Sequence, residues 1–274
     1  MQRQSGLARF LATAAVTAML AASLGGCQGM GDVTGALTSS ADPPSPEANP
    51  QRATEYYGDR YRANPKDADA ALAYGQALRA NGQRSQSAAV FEQACIAIPG
   101  NRALLAGWGR ALADNGNFQQ AFDVLSRAHS PDNPDWRLLS VQGTALDQLG
   151  RHDDARRYYI SALKIVPGEP SVLSNLGLSY MLTRDLPKAE DALRQAFANP
   201  KADARVRQNL GLVVGLQGRF AEAEQIVKAD LPPDEATANV AYLKAMLKGR
   251  DKDNSRPPGR GVSNIPIAEL NRPD

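Results

Sequence analysis

The sequence has few of the side chains from which most catalytic and metal sites are built. It contains only two histidines and two cysteines among its 274 residues. Neither His129 nor His152 has a second ligand at metal-binding spacing such as HExxH. A GxSxG nucleophile elbow and a GxxxxGKS/T phosphate loop are also missing. We therefore predict a protein that is not an enzyme, with no catalytic, cofactor-binding or metal-binding residues.

The sequence also lacks an excess of charge of either sign and a pair of cysteines free to form a disulfide. The net charge is only +2, so no strong basic field indicates a nucleic-acid partner. The cysteines are Cys27 and Cys95. If Cys27 is modified at the mature N-terminus, Cys95 has no partner for a disulfide. A small apolar core residue is then the simplest interpretation of Cys95.

Long apolar runs are limited to one stretch near the N-terminus. Residues 10–24 are rich in alanine and leucine, follow the basic residues Arg3 and Arg9, and are too few to span a membrane comfortably. This pattern indicates a secretory signal peptide over residues 1–26.

The end of that stretch, Leu24-Gly25-Gly26-Cys27, resembles a bacterial lipobox. The resemblance implies that Cys27 is lipidated and becomes the mature N-terminus, so that acyl chains hold the protein on a membrane. The alternative is an ordinary signal-peptide cleavage, with Cys27 incidental. Gln28, in place of Asp, points to the outer membrane by the sorting rule of some Gram-negative bacteria, and the inner membrane stays open.

Most of the remaining chain follows one strict repeat. Glycines recur every 34 residues, at Gly75, Gly109, Gly143, Gly177 and Gly211. A larger residue follows each glycine by sixteen positions: Phe91, Leu125, Tyr159, Leu193 and Val227. A glycine within a helix costs about 1 kcal/mol against alanine, and suits a place where another helix comes close. We therefore predict helical hairpins that bury their apolar faces by stacking on one another.

The period, with small residues on either side of each larger one, resembles the tetratricopeptide repeat (TPR). The resemblance implies an all-α, right-handed superhelical TPR solenoid of about five helical hairpins plus capping helices. The predicted first helices begin near Ala68, Arg102, Trp136, Pro170 and Ala204. The predicted second helices begin near Arg84, Phe118, Asp153, Leu186 and Phe220.

Composition divides the rest of the chain. Residues 27–50 are predicted to be the lipidated N-terminus and a flexible linker, because they have almost no large apolar side chain. Residues 51–248 are predicted to form the solenoid, with capping helices at residues 53–64 and 234–248. Residues 249–274 are polar and rich in proline, glycine and arginine, and we predict a disordered tail.

In the TPR family the first helices line a concave groove that commonly binds extended peptides or helices. Carried over by position, this groove includes Arg110, Asn175, Leu178, Asn209 and Leu212. Arg79, Arg137, Met181 and Arg205 flank these positions and complete the set of predicted partner-binding residues. The two asparagines would hold a peptide backbone through their amides, the arginines would pair with acidic groups, and the apolar residues would form a floor. Two simpler interpretations stay open: the asparagines fill helix positions, and the arginines form a solvated rim. Asp147 flanks the same groove.

A signal peptide, lipobox, short linker, TPR array and short tail together resemble the TadD-type lipoproteins of tight-adherence (Flp) pilus assembly. That resemblance implies a protein-binding scaffold with a pilotin-like role. Its partner would be an envelope assembly protein such as a secretin, and it would need no cofactor. It also implies a place in the bacterial cell envelope, lipid-anchored in the outer membrane and facing the periplasm. The alternatives are a TPR lipoprotein of outer-membrane protein insertion and a regulatory adaptor of a peptidoglycan hydrolase.

Overall fold

The described residues form twelve α-helices and no strand. The computed structural model describes residues 45, 48–130 and 132–254, with side chains as far as Lys248. The helices are α1 Pro50–Ala63, α2 Ala68–Ala80, α3 Arg84–Ala97, α4 Arg102–Asp114, α5 Phe118–Ala128, α6 Trp136–Gln148, α7 His152–Ile165, α8 Pro170–Leu182, α9 Leu186–Phe197, α10 Ala204–Leu216, α11 Phe220–Val227 and α12 Pro233–Asn254. The predicted all-α class is confirmed.

The five first helices, α2, α4, α6, α8 and α10, begin at the predicted residues. Each first helix is preceded by a residue that stands eight positions before the repeated glycine of its hairpin: Asp67, Asn101, Asp135, Glu169 and Asp203. All but Glu169 cap the helix with a side-chain oxygen, as when Asp203 accepts from the N–H of Val206 at 3.1 Å. Glu169 is followed by Pro170, which has no N–H to satisfy.

The turn inside each hairpin is also repeated. In the third hairpin the N–H of Arg151 donates to the carbonyl of Leu146 at 2.9 Å, and Gly150 has a left-handed φ of 74°. This is the bond pattern of a Schellman motif, which satisfies carbonyls at the end of the first helix. Four second helices begin as predicted, and α7 begins at His152, one residue before the predicted Asp153.

The glycines that recur every 34 residues lie where the two helices of a hairpin meet. A Cβ built on Gly143 would stand 2.5 Å from the Tyr159 ring, and one on Gly177 would stand 2.7 Å from Cγ of Leu193. Gly75, Gly109 and Gly211 would meet the equivalent large residues in the same way. The structure therefore confirms the predicted pairing of each glycine with the large residue sixteen positions later.

Stacking of the hairpins completes the core. Consecutive helices from α1 to α12 pack against one another, and each first helix also contacts the first helix of the next hairpin. Buried apolar residues link neighbouring hairpins in overlapping clusters, with Phe91, Leu125 and Leu193 fully buried. These contacts build the superhelical TPR solenoid.

Both ends of the array carry an additional helix. α1 packs on α2, where the rings of Tyr61 and Tyr74 lie 5.9 Å apart. α12 packs on α10 and α11, with Leu243 beside Gly215. The predicted end of this helix at Lys248 is wrong, because α12 continues to Asn254. No proline stands between Pro233 and Pro257, so every residue in that interval has the backbone N–H that a helix needs.

Several sequence predictions fall on residues outside the described ones. The predicted signal peptide, Cys27 and nearly all of the predicted linker belong to this group, as do residues 255–274 of the predicted tail.

Candidate protein-binding groove

The first helices form the surface that the sequence analysis assigned to a partner. α2, α4, α6, α8 and α10 contact one another in series. Because successive members of one helix row touch, their outward residues lie along one continuous strip. A solenoid of this kind presents an extended concave surface for binding.

Three of the four predicted arginines come together at one end of this strip. Arg79 on α2, Arg110 on α4 and Arg137 on α6 line a cavity of about 420 Å³, together with Asp114 and Val141. Asp114 is bound to Arg79, whose Nε donates to Oδ2 at 2.6 Å. Asp114 is not among the groove residues predicted from the sequence.

The other two arginines of the cavity have different surroundings. Arg137 is exposed, and its guanidinium carbon lies 4.4 Å from the centre of the Trp136 ring. Arg110 is half-buried, and its burial is the main cause that lowers its pKa. Asp135 and Asp114 oppose that shift of the pKa, whereas the neighbouring Arg79 and Arg137 add to it. Arg110 is therefore a guanidinium that has lost water without gaining a close acidic partner.

Arg205, the fourth predicted arginine, does not join this cavity. Its side chain is 79% exposed and lies 3.1 Å from Asp203, at the start of α10. Its surroundings match the solvated-rim interpretation.

The two predicted asparagines bind serines of the preceding hairpin. Nδ2 of Asn175 donates to Oγ of Ser140 at 3.1 Å, and Nδ2 of Asn209 donates to Oγ of Ser174 at 2.9 Å. Both serines are buried. One amide N–H of each asparagine is thus committed to joining neighbouring repeats.

The apolar part of the predicted groove lies on α8 and α10. Leu178 and Leu212 are half-buried. Met181 is packed against the core cluster formed by the fourth and fifth hairpins. Met181 therefore contributes to hairpin packing as well as to the strip.

Asp147, which the register placed beside the groove, is buried instead. Its side chain is 7% exposed. Oδ1 accepts from Oγ of Ser179 at 2.8 Å and lies 2.9 Å from Nδ1 of His152, and Oδ2 accepts from the hydroxyl of Tyr159 at 2.9 Å. A buried carboxylate needs such partners. Its role in the structure is to join three helices.

A second cavity lies between α5, α6 and α7. It measures about 390 Å³ and includes His129, Gln142, Tyr158 and Lys164 in its lining. Gln142 is 1% exposed, and its Oε1 lies 2.9 Å from Nε2 of His129. Its lining shares no residue with the predicted partner-binding groove.

The described residues contain no group of three or more His, Cys, Asp or Glu side chains arranged to hold a metal ion. Burial raises the pKa of the Cys95 thiol to about 11, against a smaller opposing effect of Arg127, so the thiol stays protonated at neutral pH. None of the described helices has both the length and the apolar character needed to cross a bilayer.

An array of helical hairpins with one continuous row of first helices defines a helical-repeat scaffold for protein–protein interaction. Residues 48–102, 75–135, 106–170, 140–203 and 174–236 each match the tetratricopeptide repeat. The chain belongs to the tetratricopeptide repeat family.

One curated protein of similar sequence is much longer than this chain. The BBSome complex member BBS4 of Bos taurus is 21% identical over 184 residues, which cover 66% of this chain and 36% of that protein. This chain therefore spans about a third of the length of that curated relative.

Two solved structures are also similar in fold. PilW, described as a widely conserved type IV pilus biogenesis factor, is 18% identical with a TM-score of 0.63, covering 71% of this chain and 91% of its own. Pseudomonas aeruginosa PilF is 16% identical with a TM-score of 0.57, covering 71% of this chain and 90% of its own. At these identities the similarity establishes the fold.

Proposed function

We propose that this protein is a lipid-anchored scaffold of the bacterial cell envelope that assists assembly of a pilus machine of the Flp/Tad type. In this role it would bind a secretin subunit, as a pilotin does, and help the secretin reach or assemble in the outer membrane. The observation that carries the proposal is the unbroken row of first helices from α2 to α10. Such a strip suits one extended segment of a protein partner.

The setting of the proposal comes from the N-terminal sequence. Leu24-Gly25-Gly26-Cys27 supports lipidation at Cys27. The residues after Cys27 would then act as a tether between the membrane and the TPR array. The similarity of the fold to PilW and PilF, both over about nine-tenths of those proteins, supports a role in pilus assembly over the other envelope roles.

The proposal is tested by deleting the gene and complementing the strain with the native chain or with Cys27→Ala. We expect the deletion to lower SDS-resistant secretin multimers in the outer-membrane fraction and to abolish surface pili. The native gene should restore both, and Cys27→Ala should fail to incorporate labelled palmitate and restore neither.

Normal secretin multimers and pili in the deletion strain would contradict the proposal. A fall in the amount of other outer-membrane proteins would then favour the role in membrane protein insertion. An altered muropeptide profile would favour regulation of a peptidoglycan hydrolase.

A further inference from the structure

We propose that the cavity between Arg79, Arg110 and Arg137 binds the carboxylates of an acidic segment in the protein partner. This inference rests on the proposed function in one respect: it takes the row of first helices to be the partner-binding surface. It adds the chemistry of the segment bound there, which would carry at least two Asp or Glu side chains.

The charges around the cavity are unbalanced at close range. Three guanidinium groups line it, and Asp114 is the one acid in its lining. Asp114 is already engaged by Arg79 at 2.6 Å. Asp135 is near, but its Oδ1 accepts the backbone N–H of Arg137 at 2.7 Å as the cap of α6. Among the described residues, neither Arg110 nor Arg137 has an acid within ion-pair distance.

Burial of Arg110 makes the imbalance costly. Its half-buried guanidinium has given up part of its hydration, and the nearby charges of Asp135 and Asp114 offset that loss only in part, because the pKa of Arg110 is still lowered. A carboxylate from outside would pair with it through two parallel N–H···O bonds. The pair would lie in a cavity where water screens charges less than at an open surface.

Arg137 is placed to contribute a second pair. Its guanidinium lies over the Trp136 ring, a contact that holds the group while its in-plane N–H donors remain able to bind a carboxylate. Arg110 and Arg137 lie on first helices of adjacent hairpins, so a segment that pairs a separate carboxylate with each would run along the row.

The test uses fluorescence anisotropy with the full-length chain in detergent. The probe is a fluorescein-labelled peptide that alternates Glu with Gly, and its control is the same peptide with Gln in place of every Glu. We expect the Glu peptide to bind at least about tenfold more tightly than the Gln peptide, with an affinity that falls as salt is raised.

Variants locate the binding site. Arg110→Gln combined with Arg137→Gln should weaken binding of the Glu peptide by about tenfold or more. Arg127→Gln is the matched control, since Arg127 is an exposed arginine on the second helix α5 and lies outside the cavity, and it should change the affinity by less than about twofold. Arg110→Lys keeps the charge but loses the bidentate geometry, so its affinity should fall between those of the native chain and Arg110→Gln.

Equal binding of the Glu and Gln peptides, or equal losses from the double variant and Arg127→Gln, would overturn the inference. Binding of inorganic phosphate or of phosphatidylglycerol vesicles that depends on Arg110 and Arg137, without binding of the Glu peptide, would overturn it in favour of a phosphate ligand. These results are independent of the gene deletion. Glu-dependent binding in a chain whose deletion leaves pili intact would uphold this inference while contradicting the proposed function.

Discussion

Asn209 Nδ2 donates to Oγ of Ser174 at 2.9 Å, across the boundary between the fifth and fourth hairpins. Asn175 and Ser140 repeat this bond one hairpin earlier, at 3.1 Å. The partners in both bonds are 35 residues apart, as are Arg79 and Asp114. One period plus one residue is therefore a recurring separation between polar side chains that meet across neighbouring first helices.

We predict that Asn209→Ala lowers the free energy of unfolding by about 1 kcal/mol, because it leaves the buried Ser174 hydroxyl without its partner. Urea denaturation measures the loss, and Gln208→Ala, at an exposed amide on the same helix, should have almost no effect. Asn209→Ala should cost much less in a Ser174→Ala background. Equal losses in the two backgrounds would contradict the coupling.

The small residue at the centre of each first helix gives a second prediction. Alanine at Gly109 would improve helix propensity by about 1 kcal/mol. Its Cβ would also stand 2.5 Å from Cδ2 of the fully buried Leu125, and such overpacking costs about 1–3 kcal/mol. We expect the overlap to dominate, so that Gly109→Ala lowers the melting temperature.

Removing the obstacle should reverse the sign of that effect. In a Leu125→Ala background, where the overlapping atoms are gone, Gly109→Ala should be neutral or stabilising by thermal denaturation. A Gly109→Ala variant that is more stable than the native chain would show that the two helices do not meet as described.

Arg184 is the only non-glycine residue with a left-handed φ among the described residues, at 63°. It occupies the turn position that Gly150 has in the third hairpin. We predict that Arg184→Gly raises the free energy of unfolding by up to about 1 kcal/mol, since strain is relieved and only part of the gain is offset by the freer unfolded chain. Arg184→Ala keeps the strain and should give no gain. Equal stability of these two variants would contradict the prediction.

Tyr159 should make the protein sensitive to alkali. Burial raises the pKa of its hydroxyl, and the charge of Asp147 raises it further. In the unfolded chain tyrosine ionises near pH 10. Above that pH the unfolded state binds fewer protons than the folded state. The contribution of Tyr159 to the free energy of unfolding is therefore fully present at lower pH and declines as the pH rises.

Urea denaturation between neutral pH and pH 11 measures that decline. Tyr159→Phe should show a shallower loss of stability with rising pH, and should be less stable at neutral pH because Asp147 loses a donor. Tyr242→Phe is the control, since that ring is 64% exposed. Parallel pH profiles for the native chain and Tyr159→Phe would contradict the assignment.

The sequence alone was sufficient to predict the hairpins, because their spacing depends on local signals. Gly143 and Tyr159 occupy fixed places within one repeat, and the turn at Gly150 needs a left-handed residue. The α7 start at His152 instead of Asp153 is a small error of the kind expected at helix ends. The end of α12 was less predictable, since no cap marks it in the sequence.

The burial and hydrogen bonds of individual side chains on the row of first helices depend on neighbours in other repeats. Asp147 is buried because Ser179 of the next hairpin and the hydroxyl of Tyr159 both donate to it. Asn175 binds a serine that stands in the preceding hairpin. A search for complementary residues at a separation of 35 would have found the asparagine pairs and the Arg79–Asp114 pair.

The central claim, that the row of first helices holds a segment of a secretin, is tested most directly by site-specific photocrosslinking in cells. A benzoylphenylalanine would replace either Gln76 on α2 or Gln93 on α3, two exposed glutamines on the first and second helices of one hairpin. We predict that Gln76 crosslinks to a secretin subunit identified by mass spectrometry, and that Gln93 does not. A secretin crosslink from Gln93 alone, equal crosslinks from both positions, or no crosslink to a secretin from Gln76 would contradict the account.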